Sequence, residues 1–133
     1  MVCLDTDVII DYLKNERSIF EIITSLKDRE QPLFTTTINS FELYRGNLRI
    51  SKKSQEDAVE LFLNSVAILN FTLEASEMAA EIFEQFKATG AMIELTDIMI
   101  AAICISRNES LLTRNTRHFE RIPGLKLEPF ERE

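Results

Sequence analysis

Three carboxylates and one amide, Asp5, Glu42, Asp97 and Asn115, stand in separate segments of this 133-residue chain, each beside an apolar run. Asp5 closes Val2-Cys3-Leu4 and opens Thr6-Asp7-Val8-Ile9. Glu42 falls on the edge of the stripe Ile38, Phe41, Tyr44, Leu48, or within it. Asp97 begins the apolar run 98–105, and Asn115 follows Leu111-Leu112-Thr113. Singly, each has a plain explanation. Asp5 and Asp7 suit a turn and a cap, a Glu at a stripe border reaches water, and an acid at a helix start meets partial positive charge. Gathered in one pocket, however, the carboxylates would repel and raise one another's pKa unless a divalent cation held them ionised. Hard oxygen donors with open, water-filled positions suit Mg2+ or Mn2+. Such an ion binds phosphate oxygens and activates water for in-line attack on a phosphodiester.

The pattern of elements decides whether the four can meet. Val2-Cys3-Leu4 reads as a buried parallel strand leading into a helix, with Thr6 or Asp7 as N-cap. A helix over 18–27 follows, capped by Ser18 or a neighbour, and Pro32 precedes the strand Leu33-Phe34-Thr35. Thr36 or Thr37 opens a helix through Leu48 whose inner stripe is Ile38, Phe41, Tyr44 and Leu48. A surface helix over 54–66 turns Ala58, Leu61, Phe62 and Val66 inward, and a strand spans 67–71. Thr72 then starts the best helical repeat in the chain (Ala75, Met78, Ala79, Ile82, Phe83, Phe86), with Gly90 just past its end; this stripe is core. The next helix is apolar on all sides and hence buried, with Thr96 as cap and Asp97 at its first position. A strand at Leu111-Leu112-Thr113 and a short one at Leu125-Lys126-Leu127 complete the series. Strands alternating with helices imply an α/β fold with a mostly parallel sheet of four to five strands, covered on both faces. Right-handed crossovers bring the strand ends to one rim, where open α/β sheets bind ligands.

Composition narrows the class. A chain of this length buries a core without metal or disulfide support, and its 45% hydrophobic content is ordinary for a single domain over 1–133. Cys3 and Cys104, both in apolar runs, read as free buried thiols of a cytoplasmic protein. No secretory leader is expected, and no apolar stretch is long enough for a membrane. With one histidine, His118, neither a Cys/His metal site nor a Ser-His-Asp triad is expected. The net charge of -7 excludes a broadly basic nucleic-acid coat. It leaves room for local patches at Arg45, Arg49, Lys52 and Lys53, and at Arg114, Arg117 and Arg121.

The stretches Leu4-Asp5-Thr6-Asp7-Val8-Ile9, Ser40-Phe41-Glu42-Leu43-Tyr44-Arg45-Gly46, Thr96-Asp97-Ile98-Met99-Ile100-Ala101-Ala102 and Leu112-Thr113-Arg114-Asn115-Thr116-Arg117-His118-Phe119 resemble PIN-domain ribonucleases. The likeness is to the VapC-type toxins of toxin–antitoxin pairs in particular, and the stretches stand in family order. The resemblance implies a PIN-like three-layer α/β/α sandwich and a Mg2+ (or Mn2+)-dependent endoribonuclease. Asp5, Glu42 and Asp97 would be its acidic metal ligands, with Asn115 completing the catalytic set as a neutral donor. Thr6, Asp7 and Thr113 would support them, and Arg45, Arg49 and Arg114 would contact the RNA backbone. It further implies a homodimer silenced by an antitoxin. Two positions depart from the family: Asn115 stands where an acidic residue is frequent, and His118 where Asp is common. His118 is read as a surface residue, with proton donation as its alternative role.

Two rivals follow from the same residues. An inactive PIN-like module that binds RNA or antitoxin would explain the departures at 115 and 118. A phosphatase of the haloacid-dehalogenase type would use Asp5 as nucleophile and Asp7 as acid/base, and would need a downstream Lys and a later acidic pair.

Overall fold

Val2, Cys3 and Leu4 are almost wholly removed from solvent because a strand pairs along each side of them. In the computed structural model, which describes residues 1–130, this first strand, β1 (Val2–Leu4), lies at the centre of a five-stranded sheet. β2 (Leu33–Thr36) flanks it on one side and β4 (Ser110–Leu112) on the other. β3 (Ala67–Leu69) and β5 (Lys126–Leu127) form the edges, giving the order β3-β2-β1-β4-β5 with every pairing parallel.

The period of two along a strand explains the layers. Cys3 and Leu111 point to one face with Phe34, joining a core made with α5 (Leu73–Thr89) and α6 (Leu95–Ser106). Val2, Leu4 and Leu112 point to the other face. There they pack with α1 (Thr6–Leu13), α2 (Arg17–Asp28), α3 (Thr37–Ile50) and α4 (Lys53–Leu63). The short α7 (Thr116–Phe119) follows β4. The result is a three-layer α/β/α sandwich. Cys3 and Cys104 are free thiols buried in the first of these cores, where desolvation pushes the Cys3 thiol well above its ordinary range. Among the described residues no helix is long and apolar enough to cross a membrane.

Several local expectations are corrected. Asp5, not Thr6 or Asp7, is the N-cap of α1, its side chain accepting from the Thr6 amide. Glu16 caps α2 by accepting from the Ser18 and Ile19 amides. α6 begins at Leu95, so Thr96 lies inside it and Asp97 occupies its third position. The largest correction concerns α3. Phe41, Tyr44 and Leu48 are 54%, 52% and 80% exposed, while Asn39, Leu43 and Asn47 form the buried face. The helix starts at the polar end of the sheet, so its inner side needs hydrogen-bonding groups there and the apolar stripe turns out. Leu61 of α4 likewise faces solvent at 74% exposure. Strand β3 is shorter than expected, ending at Leu69, and β4 lies one residue earlier, at Ser110–Leu112.

Candidate active site

β1 and β4 end side by side, and the Asp5 amide still donates to the Leu112 carbonyl at 3.0 Å, which pins Asp5 at the rim. Asp5 is 6% exposed, and both its carboxylate oxygens accept hydrogen bonds. Oδ1 accepts from the Thr6 amide at 2.9 Å and from Asn39 Nδ2 at 3.2 Å, and Oδ2 accepts the Thr113 hydroxyl at 2.7 Å. Asn39 also donates to Thr6 Oγ1 at 3.0 Å, and the Thr6 hydroxyl in turn donates to Glu42 Oε1 at 2.6 Å. The chain of bonds from Thr113 to Glu42 therefore joins β4, β1 and α3 into one rigid unit. Behind it, the Thr36 hydroxyl donates to Asn39 Oδ1 at 2.7 Å and thereby sets which way the amide faces.

Asp5, Thr6, Asp7, Glu42, Asp97 and Asn115 line one cavity of about 280 Å³ on this rim, together with Ile10, Glu94 and His118. Thus the four segments singled out in the sequence do converge. Asn115 caps α7 by position and donates from Nδ2 to His118 Nδ1, 3.0 Å away. Thr113 stands behind the cavity wall, holding Asp5 through its hydroxyl. Arg45 and Arg49 are exposed on α3, at i+3 and i+7 from Glu42 and so on its side of the helix; Arg45 lies 5.7 Å from the Phe41 ring centre. Arg114 is placed differently from the expectation of an RNA-facing cation. Its guanidinium pairs with Asp11 at 2.6 Å and Glu16 at 3.4 Å and lies over the Phe130 ring. His118 is exposed, as expected, yet it reaches the cavity mouth.

Two lining or supporting residues escape a reading of the sequence. Asn39 is fully buried and orients both Asp5 and Thr6; its only signal is a polar residue at i+3 from a helix cap, on the side opposite the apolar stripe. Glu94 stands three residues before Asp97, a spacing that puts both on one side of the first helical turn. Replacing Asn39 by Leu leaves the buried Thr36 hydroxyl without its acceptor and removes a donor from Asp5. Urea unfolding should show a loss of about 2–3 kcal/mol, and a loss below about 0.5 kcal/mol would mean the network is ornamental.

Charge defines what the cavity can hold. Burial, then Asp7 and more weakly Asp97, push Asp5 up to about 7 against the lowering effect of its hydrogen bonds. Burial, Glu42 and Glu94 push Asp97 up to about 6, with His118 opposing. Burial also raises Asp7. Among the described residues no lysine or arginine lines the cavity. Clustered carboxylates without a basic partner fit a hard cation by donor chemistry. Among the described residues no three acidic, His or Cys side chains close around a single point, so protein oxygens would share an ion with water, as Mg2+ commonly requires. The phosphatase reading calls for a lysine beside its nucleophile, and among the described residues none lines the cavity.

An acidic cavity at the carboxyl rim of a parallel sheet covered on both faces defines the class: an α/β protein whose site suits a divalent cation. The PIN domain model matches residues 2–125, and the chain belongs to that family. It is similar to Ribonuclease VapC1 of Methanocaldococcus jannaschii, with 31% identity over 95% of this chain and 85% of that one. It is also similar to the tRNA(fMet)-specific endonuclease VapC of Salmonella typhimurium, at 28% identity over 94% of each. The crystal structure of VapBC2 from Rickettsia felis, bound to a promoter DNA fragment, matches with a TM-score of 0.88 at 25% identity, over 98% of this chain and 100% of that one.

Proposed function

We propose that the chain is a Mg2+- or Mn2+-dependent endoribonuclease and the toxin of a VapBC-type toxin–antitoxin pair. One observation supports this above the others: Asp5, Glu42, Asp97 and Asn115, far apart in sequence, line a single acidic cavity. The names of its relatives, ribonucleases and an endonuclease, point the same way. A bound divalent cation supplies charge stabilisation for a phosphodiester and a water of lowered pKa. Asp5 and Asp97 would hold it. Glu42 has Oε1 fixed by the Thr6 hydroxyl, which leaves Oε2 to share the cation or to take the proton of the attacking water. Attack by that water on phosphorus would break the P–O bond to the leaving nucleotide, whose oxygen would take a proton from solvent. Asn115 would complete the donor set without adding charge. Asn39 and Thr113 keep Asp5 from rotating, and Thr6 does the same for Glu42.

Arg45 and Arg49 would meet RNA phosphates, since both are exposed beside Glu42. Arg114 is better suited to holding the 113–115 turn against α1, because its charge is spent on Asp11 and Glu16. A cognate antitoxin, a homodimer and a cytoplasmic location belong to the same proposal. The exposed apolar residues Phe41, Tyr44, Leu48 and Ile50 of α3 and Leu61 of α4 offer area for such contacts.

A second reading, an RNA- or antitoxin-binding module without catalysis, draws support from the neutral Asn115 and the imidazole at 118. Incubating the purified, antitoxin-free chain with labelled RNA and Mn2+ separates the two. Cleavage that EDTA stops and added Mn2+ restores is the expected result; RNA retained but intact in every condition establishes the second reading instead.

A further inference from the structure

Glu94 caps α6 by its backbone, with φ -58° and ψ 141°, but its side chain makes no capping hydrogen bond. A carboxylate there ordinarily accepts from the free amides of the first turn. Instead the side chain lies on the wall of the acidic cavity, and it makes no hydrogen bond or ion pair among the described residues. The same cavity is lined by the neutral amide of Asn115 and the imidazole of His118. Glu94 and Asp97 are therefore two carboxylates from one helix start that line the same cavity. They are close enough that Glu94 contributes to the upward shift of Asp97.

We propose that Glu94 acts with Asp97 as a paired carboxylate ligand, gripping the cation or its waters from the α6 side of the cavity. This rests on the reading of the cavity as a divalent-cation site. Glu94 is itself exposed, which leaves room for the waters that such an ion keeps.

Direct Mn2+ binding, followed by calorimetry or by the electron paramagnetic resonance of free Mn2+ at pH 8, tests this without reference to activity. Glu94→Gln should weaken Mn2+ binding about tenfold. Glu84→Gln, an exposed carboxylate on α5 outside the cavity, should leave it unchanged. Equal weakening in both variants would reduce the effect to long-range charge and overturn the assignment. So would an unaltered affinity in Glu94→Gln while Asp5→Asn abolishes binding, and that outcome spares the nuclease reading. If the wild-type chain binds no Mn2+ at millimolar concentration, the cation reading itself falls and takes Glu94 with it.

Discussion

Asp5→Asn should lower RNA cleavage by about a thousandfold, some 4 kcal/mol of transition-state stabilisation, and at the same time make the metal-free protein more stable at pH 8. The two effects have one cause. Asp5 is buried, and its folded-state pKa is raised from 3.8 to about 7. A carboxyl group whose pKa is raised by folding favours the folded state fully only below its unfolded value, and that contribution is lost as pH rises through the folded value. At pH 8 the group is ionised in both states, and the buried charge costs the folded protein about 2–4 kcal/mol. An amide at position 5 carries no such cost. It keeps an acceptor for Asn39 and the Thr6 amide, while the Thr113 hydroxyl can rotate to accept from the new NH2. Denaturant melts at pH 8 without metal should therefore rank the variant above wild type, with the gap closing towards pH 4. Wild-type cleavage rates in the variant would remove Asp5 from the reaction, and a variant less stable at pH 8 would contradict its placement as a strained buried charge.

Added Mn2+ should reverse the pH trend of stability. Without metal, the raised values of Asp5 and Asp97 make the folded state lose stability as pH rises through about 6 and about 7. Cation binding requires the ionised carboxylates, so its contribution grows over the same interval. At a hundredfold excess over Kd at pH 8, stabilisation of about 2.7 kcal/mol is expected, or roughly 10 °C in Tm for a chain of this size. At pH 5.5 and the same Mn2+ concentration, protonation of Asp5 and Asp97 should cut the gain to under about 1 kcal/mol. Scanning calorimetry at the two pH values, with and without Mn2+, checks this directly. A metal-induced shift as large at pH 5.5 as at pH 8 would mean that the ion sits elsewhere.

Much of this site is visible in the order of residues alone. Short apolar runs that end at Asp5 and precede Asn115 announce strands meeting a common rim, because parallel strands joined by helices have no other way to close a sheet. The long repeat of α5 and the all-round apolar α6 are equally legible, since their burial is written into their periodicity. What periodicity cannot tell is which side of a helix turns in. Phe41, Tyr44 and Leu48 of the apolar stripe of α3 point to solvent, and Asn39, Leu43 and Asn47 point inward, because the helix packs over a rim that needs amides and hydroxyls as well as methyl groups. The fates of individual charges were decided only in three dimensions, for a related reason. Arg114 finds Asp11 and Glu16 about a hundred residues upstream, and Glu94 makes no side-chain capping bond and lines a cavity that three other segments help to build. Electrostatic partners are fixed by distance through space, and spacing along the chain carries almost none of that information.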